Sequence, residues 1–529
     1  KYSFLYVSPE RLQTEYFQER LKYMPVSLIA VDEAHCISQW GYDFRPAYLG
    51  IYKVRELLPE TTILALTASA TPEVQKDICE KLHFKPNFKK YEKSFVRENL
   101  SYVNIYEENK QERLLRLIEK LKGTGIIYVR NRRKTQEWAA FLSKNNISAD
   151  FYHAGLNGET RSRKQDEWIK NITQVMVCTN AFGMGIDKPD VRFVVHLDIC
   201  ESLEAYYQEA GRAGRDGESS YCVVFYDQSD ILQVKKAITE YFPEFSEVKK
   251  IYFEIFNFLN IAYNDGELKT YPLNLLAFSK KVNINLNKIL VSFRLLEQMN
   301  FMIFNESIYV SPKIKFTTNS ESIQKFIKEN PSSERIVKLF LRSYPGVFEY
   351  FVHFRPELIA DVLRIEAQQV LKHLEFLQSR EMVKYELQSE SPSVTFLSNR
   401  EKENYVRFDK ALFEKRKENF VFRRKKMLEY IQKNECRSKM ISAYFGEKNL
   451  KLCGKCDICR KRKKMGITEK DFARVYAEIE QILQKKPISI DDLLALKINF
   501  PEEKLLQIIR FLIDDGILTL KDRKLSLSN

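Results

Sequence analysis

Asp32 and Glu33 stand side by side, directly after the apolar run "LIAV". A buried strand that ends there delivers both carboxylates to the carboxyl edge of a sheet, where open α/β folds bind ligands. One carboxylate can hold Mg²⁺ through water while its neighbour orients or deprotonates an attacking water. Bare acidic pairs are common on surfaces, so the strand in front carries this reading. Far downstream, "YYQEAGRAGRDG" sets Gln208, Arg212 and Arg215 at spacings of four and three, which one helical face can present together. Two guanidiniums aimed at one place suit a triphosphate, because Arg forks bind phosphate oxygens and offset charge that develops in phosphoryl transfer. Gly211, Gly214 and Gly217 argue against an ordinary solvated helix. Between these motifs, "CTNAFGMGIDKP" holds a Gly-rich turn with Gly185 and Asp187, able to approach a phosphate or ribose closely.

Four of the nine cysteines are clustered. Cys436, Cys453, Cys456 and Cys459 give C-x16-C-x2-C-x2-C, the ligand set of a tetrahedral Zn²⁺ site with no open position, hence a scaffold. An iron–sulfur cluster also takes four thiolates, so the spacing leaves the metal open. Cys36, Cys79, Cys178, Cys200 and Cys222 are scattered and read as reduced core thiols.

The elements that must position these groups follow from the patterning. Residues 1–230 alternate Val/Ile-rich runs with amphipathic stretches, the signature of parallel sheets covered by helices. Strands are expected at "FLYVS", "SLIAVD", "TILALTAS", "GIIYVR", "VMVCTN", "VRFVVHLD" and "YCVVFY". A polar connection, "FVRENLSYVNIYEENKQERLL", separates the third from the fourth and places a boundary near Phe95. The expected fold class is α/β, with two parallel-sheet lobes at 1–95 (partial) and 96–230. Helical units with small hairpins follow at 231–320, 321–400 and 466–529, and helices followed by a hairpin describe winged helices. Residues 401–465 hold a basic helical hairpin and the cysteine module.

At 529 residues, 44% apolar and 29% charged, the chain is expected to be soluble and multidomain. No apolar run approaches the roughly 20 residues of a membrane span, and no secretory leader is visible, so a cytoplasmic protein is expected. The net charge is +14, and residues 400–464 alone hold 22 Lys/Arg against 9 Asp/Glu. Charge concentrated in that way suits a polyanion, with a solvated helix as the alternative.

Asp32-Glu33-Ala34-His35 matches a Walker-B DEAH box. In order, "VDEAHCISQWGYDFRP", "ALTASAT", "IIYVRNRR", "YHAGL", "CTNAFGMGIDKPDVRFVVH" and "YYQEAGRAGRDG" resemble the motifs of superfamily 2 helicases. The segment after the DEAH box resembles the aromatic-rich loop of RecQ DNA helicases, and "CRSKMISAYFGEKNLKLCGKCDICR" resembles their zinc-binding module. The resemblance implies two recA-like lobes that hydrolyse ATP with Mg²⁺, unwinding DNA 3′ to 5′ in repair or recombination. It makes Asp32 a Mg²⁺ ligand through water, Glu33 the residue that activates water, and His35 part of the same box. Arg215 becomes the arginine finger and Arg212 a second phosphate contact. Ser69 and Thr71 belong to the motif that couples hydrolysis to lobe movement. Gln39, Trp40, Phe44 and Arg45 correspond to residues that sense single-stranded DNA; a Trp buried between lobes is the alternative. Asn131, Arg132 and His153 fall in segments expected to face the DNA backbone. DNA, single-stranded and at duplex junctions, is the implied partner, and a monomer is favoured.

Two departures stand out. No G-x-x-x-x-G-K-[ST] phosphate cradle occurs, so the chain is expected to lack the front of its first lobe and to be inactive as written. Arg215 and Cys436 are also far apart, with two of the helical units between them. Alternatives are a translocase of the same superfamily acting on RNA or chromatin-like substrates, and a DNA-binding protein with a degenerate ATPase.

Overall fold

The computed structural model describes residues 3–38, 41, 45–183, 185–305, 312–344, 346–348, 351–386, 392–448, 450–464, 466, 469–496, 498–514, 518–521 and 523–527. Strands β1 (Leu28–Val31) and β2 (Thr62–Ala65) form a parallel pair with Leu28 opposite Thr62. Helix Pro72–Lys81 packs below them through Val74 and Ile78, onto Val31, Ala34 and Ala70. The strand expected at 4–8 has no ladder partner among the described residues, and Phe4 and Tyr6 are 80% and 94% exposed.

The second lobe is a six-stranded, fully parallel sheet. Its members are β3 (Leu100–Tyr106), β4 (Thr124–Tyr128), β5 (Ala149–Tyr152), β6 (Val175–Cys178), β7 (Val191–His196) and β8 (Ser220–Tyr226), in the spatial order β3-β8-β7-β4-β6-β5. Every residue of β4 and β6 is buried. Covered on both faces, these strands are apolar throughout instead of alternating. β3 corrects the polar connection expected there: Tyr102 is buried, while Asn104 donates to Tyr430 O at 3.0 Å. An edge strand with polar partners elsewhere looks like a loop in sequence. One face of the sheet is closed by Trp168, Leu203 and Tyr206, together with Met427, Tyr430, Ile441 and Phe445 from beyond residue 400. The basic helix Lys410–Gln432 and the cysteine module are therefore part of this lobe's core.

Between the lobe and that helix lie two nested units. Helix Phe245–Phe258, β9 (Thr270–Pro272), helices Leu275–Val282 and Leu286–Gln298, and β10 (Met302–Asn305) give the winged-helix order. The sheet is completed not by the next strand but by β14 (Ser393–Phe396), which pairs antiparallel with both β10 and β9. Inside the interruption, β11 (Lys313–Phe316) pairs with β12 (Val352–His353) and with β13 (Val383–Glu386). Those strands and helices Glu334–Ser343, Pro356–Leu363 and Ala367–Ser379 form a second winged helix with its own core. The hairpin expected at 383–396 is thus corrected, since β13 and β14 belong to two different sheets, while the second strand expected within 296–312 lies outside the described residues. Helix-then-two-strands reads identically in sequence whether units follow one another or one sits inside the other. The third unit does close with a hairpin, β16 (Leu518–Lys521) against β17 (Lys524–Leu527), with β15 (Ile488–Ser489) on the other side of β17. No described helix is long and apolar enough to cross a membrane.

Asn305 and Ser393 are direct ladder partners, so the insert enters and leaves at one point. Replacing residues 306–392 by an Asn-Gly turn should leave the outer unit folded, because that dipeptide closes a two-residue hairpin. Circular dichroism and cooperative melting check this; loss of the remaining helicity would show that the two units fold as one.

Candidate functional site

β1 ends at the carboxyl edge of the first sheet, and the chain turns sharply there. Glu33 adopts φ 49°, ψ 42°, a left-handed conformation uncommon for a residue with a Cβ, and its N–H donates to Asp32 Oδ1 at 2.9 Å. The strained turn leaves Asp32 exposed and Glu33 half-buried. Behind them His35 is buried, with Nδ1 3.2 Å from Glu33 Oε2 and 3.1 Å from Thr67 Oγ1. The His35 hydrogen bond holds the Glu33 carboxyl below its ordinary value. Burial opposes that effect, and the charges of His35, Arg212 and Arg45 add to it. Glu33 is thereby kept as a carboxylate, the form that can orient or accept a proton from water.

A polar relay leads from this pair to the other lobe. Ser69 N–H lies 3.4 Å from Thr67 Oγ1, and Ser69 Oγ accepts from Gln208 Nε2 at 2.8 Å. Ser69 is buried. Thr71 is the N-cap residue of helix Pro72–Lys81 but makes no side-chain cap bond. Thr67 was not singled out by sequence, although its alternation with Ser69 and Thr71 in "TASAT" was the available signal.

The shared helical face expected for Gln208, Arg212 and Arg215 is corrected. Helix Leu203–Ala210 stops with Gly211 as its C-cap, and both arginines lie in the turns beyond it. Gly214 has φ +57°, and a Cβ there would come within 2.5 Å of Asn99 Nδ2, so no other residue fits without strain. Arg212 is buried; its guanidinium donates to Gly183 O at 2.6 Å, while Nε has no hydrogen-bond partner among the described residues. An orphaned, buried guanidinium nitrogen fits a site built for an anion. Arg215 is partly exposed and paired with Asp187 at 2.6 Å, so two of the expected nucleotide contacts occupy each other. Gly185 has φ +81° with open space around it; conformation, not room, demands glycine there.

Gln39, Trp40 and Phe44 lie outside the described residues. Arg45 N–H donates to Cys36 O at 3.0 Å, which ties this residue to the DEAH segment. Asn131 caps helix Arg132–Lys144 by accepting from Arg133 N–H at 2.8 Å. Its side-chain oxygen is therefore engaged in a helix cap. His153 is buried with Nδ1 unpartnered among the described residues. Burial, then the charges of Arg132 and Lys164, hold its imidazole below the ordinary value. Arg132 and His153 converge on Gly155, where a Cβ would lie 3.4 Å and 3.2 Å from their nitrogens.

A further cluster joins His196 Nε2 to Glu209 Oε2 at 2.8 Å and Cys200 Sγ to the same oxygen at 3.6 Å. It fastens the last turn of the Gln208 helix to the end of β7.

The four clustered cysteines converge as expected, their Sγ atoms all lying within 4.8 Å of one another. Three backbone N–H groups point at the sulfurs: Cys453 to Cys436 at 3.3 Å, Cys456 to Cys453 and Cys459 to Cys456 at 3.4 Å each. Donors of this kind stabilise thiolates, and the donor set fits a tetrahedral Zn²⁺. Buried Arg437 pairs with Asp457 at 3.1 Å and donates to Lys433 O at 2.6 Å, tying this centre to the basic helix. Much of that helix's charge is spent on packing. Arg424 lies 3.5 Å above the Phe420 ring and Arg423 donates to Glu204 at 3.1 Å. Burial lowers the Arg416 and Arg424 values to about 10. Exposed basic charge remains on that helix at Lys410 and Lys425, and a further exposed run, Arg460, Lys461 and Lys463, follows the last cysteine.

Residues 1–78 match the family described as DEAD/DEAH box helicase, and 109–217 the helicase conserved C-terminal domain. Residues 401–460 match RecQ zinc-binding, and 314–387 the RecQ helicase winged-helix domain of Bacteroidota. The chain belongs to the RecQ family. The 314–387 match coincides with the inner winged helix, and the 401–460 match supports zinc over an iron–sulfur cluster. Among RecQ relatives, the chain is 44% identical over 233 residues to the ATP-dependent DNA helicase RecQ of Bacillus subtilis, covering 44% of this chain and 39% of that one. It is 44% identical over 237 residues to the Haemophilus influenzae protein of the same name, covering 45% and 38%. With the Bacillus subtilis protein named "Probable ATP-dependent DNA helicase RecS" it shares 37% over 327 residues, 58% of this chain and 64% of that one. The chain thus spans less than two thirds of each of these relatives.

Metal analysis should find one zinc per chain at this centre, and Cys456→Ser should release it and cost on the order of 4 kcal/mol of stability. Retained zinc with an unchanged melting curve would contradict the assignment. Glu33 gives a pH signature. Its lowered value means that its stabilisation is full above the ordinary carboxyl value of 4.5 and is lost as pH falls through the folded value. The stability difference between the unaltered chain and Glu33→Gln should therefore shrink on acidification below about pH 4.5 in urea melts.

Proposed function

We propose that the whole protein is an ATP-dependent DNA helicase that moves 3′ to 5′ and separates strands at duplex junctions. The observation that carries this reading is the relay Glu33–His35–Thr67–Ser69–Gln208, which links the acidic pair of one lobe to the arginine turn of the other. Such a relay gives hydrolysis in the cleft a direct mechanical consequence for the separation of the lobes. The names carried by the relatives support the same activity.

In this reading Glu33 orients the attacking water and accepts its proton, a role its depressed carboxyl value favours. His35 fixes that carboxylate from behind. Asp32 would hold Mg²⁺ through water, and the ion would supply charge neutralisation at the phosphates. Arg212, already desolvated, offers its free Nε to a phosphate oxygen. Arg215 serves as the arginine finger once released from Asp187, and Gly185 lets the backbone approach the nucleotide. Ser69 and Thr71 report the state of the cleft to lobe 2 through Gln208.

Single-stranded DNA would run past Arg132 and His153, with Asn131 setting the start of the helix that presents Arg132. Gln39, Trp40, Phe44 and Arg45 would sense the strand, the aromatics by stacking on bases. Arg460, Lys461 and Lys463 would contact phosphates of the duplex.

In the full-length protein, Glu33→Gln should abolish unwinding and lower ATPase turnover at least about 100-fold, while DNA affinity stays within about twofold. Unwinding that survives in a gel-based strand-separation assay sinks the mechanism. Trp40→Ala should leave basal ATPase in place and remove its stimulation by single-stranded DNA; stimulation that persists excludes the sensing role.

A further inference from the structure

The stretch from Ser94 to Asn99 joins the two lobes and is held from two sides. On one side lies the corner that follows helix Arg437–Tyr444 of the zinc module. Ser94 Oγ donates to Glu447 Oε1 at 2.6 Å and Phe95 N–H to Glu447 Oε2 at 3.1 Å, so one carboxylate spans two donors of the linker. The Phe95 ring stacks on Phe445 with centroids 4.5 Å apart and planes 9° from parallel. Lys455 Nζ adds a bond to Glu98 O at 2.5 Å.

On the other side lies the arginine turn. Tyr207 Oη donates to Phe95 O at 3.2 Å, and its ring contacts Phe445 at 5.2 Å. Asn99 Nδ2 and Arg97 both donate to Gly214 O, at 2.6 and 3.1 Å. Tyr207 is the chain neighbour of Gln208, which reaches Ser69 across the cleft.

The same corner also touches the first lobe. Gly446 has φ +88° and lies so close to Pro72 that a Cβ would come within 2.5 Å of its Cγ. Pro72 opens the helix directly after Ser69 and Thr71. One short segment of the zinc module therefore meets the linker, the arginine-motif helix and the start of the lobe 1 coupling helix. Any rotation of one lobe against the other must slide along it.

We propose that Phe445, Gly446 and Glu447 are positioning residues that set the separation of the lobes, and with it the reach of Gln208 to Ser69. The zinc centre holds them in register, since Cys436 is the N-cap residue of the helix that ends at this corner. None of the three touches the nucleotide cleft; they act through the linker and Pro72. The catalytic consequence rests on the ATPase reading above, whereas the control of lobe separation does not.

The experiment uses the full-length protein with distance labels, introduced without cysteine chemistry, at exposed Lys76 in lobe 1 and Lys144 in lobe 2. Glu447→Ala and Gly446→Ala should keep zinc at the unaltered level, broaden the distribution of label distances and lower DNA-stimulated kcat about tenfold. Glu447→Gln, which keeps one acceptor, should fall between. An unchanged distance distribution in the zinc-replete variants overturns the proposal. So does a broadened distribution with unchanged kcat, because the corner would then hold the lobes without serving the reaction. If the unaltered protein shows no DNA-stimulated hydrolysis, the function proposed above fails and the label distances alone decide this one.

Discussion

Two half-sites on separate sheets can act together only if something fixes the gap between them, and here that constraint is met by a hydrogen bond of 2.8 Å from Gln208 to Ser69. A contact of that length tolerates little displacement before it is lost. Each partner is therefore over-determined. Ser69 is buried and backed by Thr67 and His35, while the helix carrying Gln208 is anchored by Glu209 on His196 and capped by Ser202. The arginine turn beyond it is pinned through Gly214 to the linker. The strained backbone of Glu33 belongs to the same economy: sheet, turn and relay together hold one carboxylate where an unconstrained chain would not place it.

Charge is handled by the same logic. The chain concentrates its positive excess in one region, yet the long helix there buries Arg416, docks Arg423 on Glu204 and lays Arg424 over the Phe420 ring. Long cationic side chains can cover apolar surface with their stems, so a basic helix can be a structural strut. What is left for a polyanion is the helix's exposed lysines, such as Lys410 and Lys425, and a shorter run beside the cysteines. The zinc centre thus stands between the exposed basic run and the buried end of the strut, linked to both by covalent chain and by Arg437.

Much of this was legible in the residues. The parallel sheet of lobe 2, the acidic pair at a strand end and the four-thiolate centre all rest on local pattern, and the structure forms each of them. β3 was hidden because Ser101 and Asn104 break its apolar run, and Asn104 satisfies its polarity with a distant carbonyl. The helical face proposed for the two arginines failed because spacing alone does not reveal where Gly211 stops the helix. Arg215 and Asp187 each read as a nucleotide contact, but their mutual pairing depends on a fold that brings residues 28 positions apart together. Basic composition likewise could not separate packed arginines from free ones. The nested winged helices are the plainest case, since strand partnership is a long-range property and the local order was the same for either topology.

The placement of one winged helix inside another also has a bearing on synthesis. When β10 leaves the ribosome its sheet partner β14 has not yet been made, and Phe256 still lacks the Phe396 ring on which it stacks at 4.1 Å. The inner unit's last strand, β13, ends seven positions before β14 begins, a lead of roughly 0.4–1.4 s at ordinary elongation rates and longer than many small domains need to fold. The inner unit therefore has time to finish first, and it brings the two ends of the interruption together before the outer core closes. The protein is assembled from the inside outward, in an order opposite to the one its residue numbers suggest.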